Sequence, residues 1–552
     1  MTARARRSVC LALALVAIAL AGAGCSQAAS PAAAALDRAN PWTLPGVLRI
    51  GSDARPDNLN PLLSNDQIVS DLSMFWSGYL FNWSNANEFV PELATIVPTQ
   101  QNGGISRDGL TITYHLRRGV QWQDGVPFTA DDVVFTWHAV MNPRNEVAGR
   151  TGYELISGIQ EPDDHTVVVH LRRPYAPFVS TFLTMSNTAY CILPKHLLAQ
   201  YPDLNHVPFN RLPVGTGPFR VVFDDGTHVK MVANPRYWRG APGLREVDFR
   251  SEADQTTLVS DLAAHVIDFA YDADTSFEPQ LHDIAGTTIY LYPFNSYGDV
   301  GFNTASPLVS DRRVRQALAY AIDRTNIVQR LSNGIDLPAD SDQPVFSWAH
   351  ADGLKQYSYD PRMARKLLDA AGWKLGRGGV RVKDGRRLRL LLVSDADGTA
   401  PSPEELSIEH GWRSVGADVD IRHYPDTRLW ALYSAGGIEA SGKFDAVLDR
   451  WVNGVDPDDS LMFMCRMAPP AGENDYHYCN PALDAAEQEA TTSNDLVARK
   501  AAYDRIQRIL AEDVPVTVLY FDQYQDVVNV DLKNYRPASA VTPFWNTWQY
   551  TI

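Results

Sequence analysis

The sequence predicts an α/β fold of several layers, and three observations support that prediction. The chain has 552 residues, 45% of them hydrophobic and 21% charged, which is enough for two or more domains with separate cores. Segments with the two-residue period of half-buried strands occur along most of the chain. Helices with clear start signals lie between those segments, as is typical of mixed α/β layers.

The predicted strands rest on alternating hydrophobicity. The clearest case follows Leu110, where apolar side chains recur at every second position through Leu116. The same reasoning, together with β-branched and aromatic residues, predicts the other strands. The predicted strands are 110–120, 166–171, 228–233, 287–294, 388–394 and 516–521.

The predicted helices rest on capping residues. Thr129 begins a helix and has an acidic residue three positions later, which is a variant of the capping box. Asp360 and Asn480 each precede a proline, which suits the first helical position. Apolar periodicity over 310–334 predicts one long helix that ends at Gly334.

The N-terminus has the three parts of an export signal. Arginines precede a short apolar run over 9–20, and small residues follow up to Cys25. This stretch resembles the bacterial lipobox, whose cysteine is acylated, although Gly22 stands where that motif usually has leucine. We therefore predict a signal peptide over 1–24, a lipid on Cys25 and a flexible tether over 25–46. Secretion with cleavage elsewhere is the alternative.

Charge and cysteine content agree with an exported protein. The net charge is −16 and no long basic run occurs, which excludes nucleic acid as a partner. Cys465 and Cys479 flank a loop rich in proline and glycine, and an oxidising compartment favours a disulfide between them, worth about 3 kcal/mol. Two independent buried thiols are the alternative. Cys191 is predicted to be buried and inert.

The common catalytic motifs are absent from the sequence. It contains no G-x-S-x-G elbow, no H-E-x-x-H pair and no phosphate-binding G-x-x-x-x-G-K-[ST] loop. Its 13 histidines are scattered and lack metal-ligand spacing. We therefore predict a protein that is not an enzyme, with no catalytic residues, no metal ligands and no cofactor.

One long segment carries a resemblance to a known family. Residues 91–137, "PELATIVPTQQNGGISRDGLTITYHLRRGVQWQDGVPFTADDVVFTW", resemble the signature region of the family 5 solute-binding proteins of ABC importers, the dipeptide, oligopeptide and nickel-binding group. Further segments, including "NLNPLL", "GTGPF" and "CNPALDAA", follow in the family's order. The resemblance extends over nearly the whole chain from Val47 onward.

The resemblance implies a two-lobed fold of the periplasmic-binding-protein type, class II, with an extra subdomain on the first lobe. Lobe one is then expected over 47–296 and again over 519–552. The extra subdomain is expected at about 77–212, and lobe two over 297–518. Two chain crossings would join the lobes.

The resemblance also implies a function. We expect a monomeric lipoprotein that captures peptides outside the cytoplasmic membrane by hinge closure and delivers them to the permease and ATPase of an ABC importer. The alternatives are the same fold with a metal chelate, haem, sugar or opine as ligand, an extracytoplasmic hydrolase, and a sensor or chaperone built on this fold.

The expected ligand-binding residues come from the family's pattern. Residues 64–67, among them Asn65 and Gln67, match a strand-like edge, and Tyr297 and Trp430 match aromatic pocket positions. Core packing is the alternative for each of them.

The stretch "DRWVNGVDPDDS" is expected to form a pocket wall of lobe two, with Trp451, Asn453, Gly454 and Asp456 at the ligand. Peptide-binding members have an aspartate at the position of Gly454, which pairs with the ligand's amino group. Two explanations remain open. Either Asp456 replaces that aspartate, which we favour, or Asn453 and the Gly454 amide bind a neutral group.

Overall fold

The structure is a computed structural model that describes residues 40–552, except 65, 148, 187–188, 396–400, 432 and the side chains of 426–427. The predicted signal peptide, Cys25 and Asn65 lie outside the described residues. Within these residues, every helix is too short or too polar to span a membrane.

Strands occur along the whole described chain. In chain order they are β1 (Val47–Ser52), β2 (Phe81–Trp83), β3 (Phe89–Pro91), β4 (Thr111–His115), β5 (Ile156–Asp163), β6 (Thr166–Leu171), β7 (Phe219–Asp224), β8 (His228–Ala233), β9 (Glu246–Ser251), β10 (Phe269–Ala270), β11 (Thr287–Phe302), β12 (Leu337–Pro338), β13 (Lys374–Leu375), β14 (Arg381–Lys383), β15 (Arg386–Arg387), β16 (Arg389–Asp395), β17 (Asp418–Tyr424), β18 (Ala446–Val452) and β19 (Val516–Asn529).

Helices alternate with these strands. In chain order the α-helices are α1 (Gln67–Trp76), α2 (Ala130–Met141), α3 (Phe178–Thr181), α4 (Lys195–Leu198), α5 (Gln255–Ala263), α6 (Glu278–Leu281), α7 (Arg312–Tyr320), α8 (Arg324–Leu331), α9 (Pro361–Ala370), α10 (Pro403–Ser414), α11 (Asp426–Leu429), α12 (Ser460–Phe463), α13 (Pro481–Thr492) and α14 (Leu496–Asp513). The α/β class is therefore as predicted.

One large sheet runs through both lobes. Its strand order is β17-β16-β18-β11-β19-β10-β1-β9-β8-β7, and β12 pairs with β19 beside this path. Strands β1 and β7–β10 lie within the range expected for lobe one, and β16–β18 lie within the range expected for lobe two. The smaller sheet β4-β6-β5 lies within the range expected for the extra subdomain.

The lobes are joined by two long antiparallel strands. β11 has 16 residues and β19 has 14, and each runs from one lobe into the other. Their register shifts between Pro293 and Tyr297, where three residues of β11 have no pairing partner on β19. The expected lobe boundaries, 296/297 and 518/519, fall inside these two strands. The boundaries themselves stay predictions.

Each lobe has its own hydrophobic core. One buried cluster contains Leu48 and Phe249 together with Phe544 and Tyr550 from the C-terminal segment, so the end of the chain packs on the part expected to be lobe one. Lobe two contains two buried clusters, one around Trp412 and one around Tyr503. Separate cores allow the lobes to move as units about the connecting strands.

Several local predictions are confirmed. Thr129 and Asp132 form the capping box of α2, and Asp360 and Asn480 cap α9 and α13 through their side chains. The prediction of one long helix over 310–334 was wrong. The chain forms α7 and α8 instead, because the Asp323 side chain accepts a hydrogen bond from the Asn326 amide and starts a new helix.

The predicted tether is too long at its C-terminal end. Thr43 donates a hydrogen bond from Oγ1 to Oδ2 of Asp531 at 2.6 Å, and the Trp42 ring stacks on His265 at 4.3 Å. Residues 40–46 are therefore fixed on lobe one, and only 25–39 of the predicted tether lie outside the described residues.

Candidate ligand-binding cleft

A cavity of about 600 Å³ lies between the two lobes. On the side of lobe one it is lined by residues from 61–70, which lie before and in the first turn of α1. Residues from 149–190, within the expected extra subdomain, complete this side. On the side of lobe two it is lined by residues from 450–473, which begin at the end of β18. The volume is within the range of pockets that enclose organic ligands.

The lobes also touch each other beside the cavity. The Tyr175 hydroxyl donates a hydrogen bond to Oδ2 of Asp458 at 2.8 Å, and the Ala176 amide donates to the Thr491 carbonyl at 2.7 Å. Burial raises the pKa of Asp458, and Asp456 nearby adds to that effect. These contacts connect the two sides of the cavity in the described conformation.

Three of the four residues expected from "DRWVNGVDPDDS" line the cavity, namely Trp451, Gly454 and Asp456. Trp451 is half-buried at the end of β18 and borders the cavity. Gly454 follows it, and its carbonyl accepts a hydrogen bond from Nδ2 of Asn295 at 2.9 Å. Within the described residues, the amide N–H groups of Gly454 and Val455 donate to no protein acceptor. They remain available to a ligand carbonyl.

The Asn453 side chain is turned away from the cavity, which disfavours its expected ligand role without testing it. It is buried, and its Nδ2 donates to the Asp342 carbonyl at 2.7 Å. Its amide donates to the Asn295 carbonyl at 2.8 Å. Asn453 therefore fixes the end of β18 against the irregular part of β11.

Asp456 lines the cavity but already has a cationic partner. Its Oδ1 accepts a hydrogen bond from Nη2 of Arg499 at 2.5 Å, and both side chains are about nine-tenths buried. Arg499 also lies over the Trp348 ring at 5.1 Å. This geometry disfavours Asp456 as the partner of a ligand amine, because its charge is neutralised inside lobe two.

The other expected positions divide into two groups. Gln67 borders the cavity, although its amide donates to Asp71 at 3.1 Å and to the Val541 carbonyl at 2.8 Å. Trp430 is 48% exposed and borders two further cavities. Tyr297, in contrast, is 1% exposed and packs against Phe521, which favours the core alternative, and its pocket role stays a prediction.

A second cavity of about 610 Å³ adjoins the first and is acidic. Arg450, Trp451, Met462 and Glu473 border both cavities. The walls of the second cavity also include aromatic rings and three more acids, namely Trp430, Tyr433, Tyr476, Glu439, Asp449 and Asp475.

Burial controls the ionisation of these acids. It raises the pKa of Asp449 to about 6 and that of Asp475 to about 7. It raises the pKa of Glu439 well above the usual range, and the nearby Asp449 and Asp475 add to the effect. Sequence reasoning missed this cluster. Only the two acids at 473 and 475 lie close together in the sequence and could have indicated the cluster. Glu439 and Asp449 lie on other segments.

Cys465 and Cys479 form a disulfide bond in the structure, across a Cα–Cα distance of 4.4 Å. The loop that it closes supplies Pro469, Gly472 and Asp475 to the wall of the second cavity. Cys191 is a buried free thiol, and burial raises its pKa to about 12. The disulfide therefore constrains a cavity wall.

A third cavity of about 540 Å³ lies on the other side of Trp430 and Asp449. Here Nη2 of Arg450 lies 3.3 Å from the Tyr520 hydroxyl and 3.9 Å from Oδ1 of Asp522. The guanidinium of Arg450 is thus engaged on this side of the cleft.

Residues 88–471, well over half of the chain, match the sequence profile of one family. Its description is "Bacterial extracellular solute-binding proteins, family 5 Middle". This chain belongs to solute-binding protein family 5. Protein XP55 of Streptomyces lividans is 30% identical to it over 476 residues, which cover 85% of this chain and 82% of that protein.

Solved structures of family 5 relatives have the same two-lobed fold. The oligopeptide-binding protein AppA from Bacillus subtilis, in complex with a nonapeptide, has a TM-score of 0.75 and 25% identity, covering 92% of this chain and 99% of AppA. NikZ from Campylobacter jejuni, in complex with Ni(L-His), has a TM-score of 0.77 and 26% identity, covering 92% of this chain and 100% of NikZ.

As a family 5 protein, this chain is a solute-binding protein of the ABC-transporter type, from a family of extracellular and periplasmic binding proteins. Its family is a transport family and not an enzymatic one. Among the described residues, no group of three or more His, Cys, Asp or Glu side chains is placed to hold a metal ion.

Proposed function

We propose that this chain is the substrate-binding lipoprotein of an ABC importer and that its ligands are peptides. It would act as a monomer, anchored through Cys25 outside the cytoplasmic membrane, and deliver its ligand to the permease. The observation that carries the proposal is the cavity of about 600 Å³ between the lobes, which has walls from both lobes.

The chemistry of the cavity wall supports a peptide ligand. The free amide N–H groups of Gly454 and Val455 are suited to donate hydrogen bonds to the carbonyls of an extended main chain, as strand-like recognition requires. The half-buried ring of Trp451 offers apolar surface beside them. AppA, a relative with the same fold, was solved with a nonapeptide.

The connecting strands support a closing motion. β11 and β19 are the two long strands between the lobes, and the register shift at 293–297 gives β11 an irregular segment at the cavity. Opening the lobes would break the Tyr175–Asp458 and Ala176–Thr491 contacts. Hinge motion about these strands would therefore admit and enclose the ligand.

Mass spectrometry of the ligands that remain bound after mild purification tests this proposal. We expect a mixture of short peptides, released by denaturation and absent from a matched sample that was unfolded and refolded before analysis. Sugars, haem or metal chelates as the retained ligands would overturn the peptide proposal while leaving the solute-binding role intact.

Titration of the refolded protein with a tetrapeptide, and with Ni(L-His) as the competing class of ligand, provides the second measurement. We expect binding of the tetrapeptide and no binding of the nickel complex, since the described residues offer no metal-holding cluster. The opposite result would contradict the proposal.

A further inference from the structure

The second cavity has more acidic than basic side chains in its walls. Its described lining residues include four acids, Glu439, Asp449, Glu473 and Asp475, and one base, Arg450. The guanidinium of Arg450 lies at the Tyr520 hydroxyl, on the side of the third cavity. The carboxyl groups of the second cavity therefore face a space without a fixed counter-charge from the described residues that line it.

One of these acids is buried with an unused oxygen. Glu439 is 5% exposed, and its Oε1 has no hydrogen-bond partner within the described part of the chain. A buried carboxyl oxygen without a partner is costly, since it loses water and gains no protein donor. A ligand group that donates hydrogen bonds or carries positive charge would remove that cost.

Aromatic rings complete the cavity. Trp430 and Tyr433 are about half exposed, while Trp451 and Tyr476 form deeper walls. Ring faces attract ammonium and guanidinium groups, and they also cover the methylene stem of a long basic side chain. Carboxyl groups beside aromatic rings are thus matched to a cationic group at the end of an apolar stem.

We propose that the second cavity is a subsite for a positively charged group of the ligand, supplied by a lysine or arginine side chain of a bound peptide. The inference rests on the proposed peptide-binding function and adds a substrate class to it, namely cationic peptides.

Two features connect the subsite to the main cavity. Trp451 and Glu473 border both cavities, so a peptide whose main chain lies between the lobes can extend one side chain past the Trp451 ring. A bare metal ion is a poorer match, because no cluster of three or more ligating side chains occurs among the described residues.

Calorimetric titration with matched tripeptides tests the subsite. One set carries lysine at the first, second or third position among alanines, and the control set carries norleucine, which has a similar stem without the charge. We expect at least one lysine peptide to bind at least tenfold more tightly than its norleucine partner. N-acetylated versions of both sets separate the side chain from the amino terminus, and the preference should survive acetylation.

The variants Glu439→Gln and Asp475→Asn each remove a carboxyl group that can ionise beside a cation, with little change of shape. We expect each to weaken the lysine peptide at least fivefold and to leave the norleucine peptide unchanged, which also shows that the variants are folded. If the Glu439→Gln protein fails to bind norleucine peptides, Asp475→Asn becomes the deciding variant.

The outcomes separate the two proposals. Equal affinity for lysine and norleucine peptides, or a preference that acetylation removes, would overturn the side-chain subsite and leave peptide binding intact. Failure of every peptide to bind, with another class of solute bound instead, would overturn the proposed function and the subsite together.

Discussion

The ion pair between Asp456 and Arg499 predicts the effect of one substitution. Asp456→Asn removes the charge that faces the guanidinium, whose side chain is 9% exposed. Arg499 would keep its hydrogen bond to the Ala490 carbonyl, at 2.8 Å, and its contact with the Trp348 ring. Its positive charge would nevertheless stay buried without a counter-charge.

The expected cost is about 3 kcal/mol, the low end of the range for breaking a buried ion pair, since both side chains keep some contact with solvent. A domain of roughly 150–250 residues loses about 2–4 °C in Tm for each kcal/mol. The ligand-free variant should therefore melt about 6–12 °C lower than the wild type in differential scanning calorimetry.

The control is the double variant Asp456→Asn with Arg499→Met. Because methionine removes the buried charge, the second substitution should cost much less in the variant background than in the wild type, with a coupling energy of about 2 kcal/mol. A fall in Tm of less than about 2 °C for Asp456→Asn, or additive effects of the two substitutions, would refute the reasoning.

The same variant separates the ion pair from a role at the ligand. Since the carboxylate of Asp456 is already neutralised by Arg499, Asp456→Asn should bind a free peptide and its N-acetylated form in the same ratio as the wild type does. A variant that keeps its Tm and loses discrimination between the two peptides would instead identify Asp456 as the amine partner.

Four further predictions follow from other parts of the molecule. Trp430→Ala should weaken ligand binding about tenfold and change Tm by less than about 2 °C, since the ring is 48% exposed at the cleft; unchanged affinity in calorimetry would remove it from the site. Replacing both Cys465 and Cys479 by serine should lower stability by about 3 kcal/mol and weaken binding. Thiol counting on the unreduced wild type should find both of these cysteines blocked. Three free thiols in freshly exported protein would contradict the disulfide. Cys25→Ser should release the protein from membranes in fractionation, and a variant that stays membrane-bound without accumulating unprocessed chain would refute the anchor. Burial raises the pKa of several acids, and that of Asp272 to about 8. The folded state therefore binds more protons than the unfolded state between about pH 4 and pH 8, and stability falls as pH rises through that window. Tm should be several degrees higher at about pH 5.5 than at about pH 8 at constant ionic strength, and the reverse order would contradict the raised pKa values.

Local features of the fold were predictable from the sequence. The capping box at Thr129 and the caps at Asp360 and Asn480 depend on residues within a few positions, so the pattern alone identifies them. The strands at 166–171 and 228–233 coincide with β6 and β8 for the same reason. The long helix failed because Asp323, which lies inside an otherwise continuous apolar pattern, caps a second helix.

The roles of site residues depend on partners that are distant in sequence. Asn453 is held by Asp342, 111 positions away, and Asp456 is held by Arg499, 43 positions away. No local pattern indicates either partner. Tyr297 was expected at the ligand because of its position in the family, and in the structure its ring lies in a buried cluster with Ala339, Val518 and Phe521, which are distant in sequence.

Two of the hydrogen bonds between the lobes, from Tyr175 to Asp458 and from Ala176 to Thr491, have a consequence for rates. We expect dissociation of a solute between the lobes to wait until both have broken. Affinity differences among solutes should then appear mainly in the dissociation rate and much less in the association rate. A membrane partner that separates these two contacts would shorten the residence time without touching the solute.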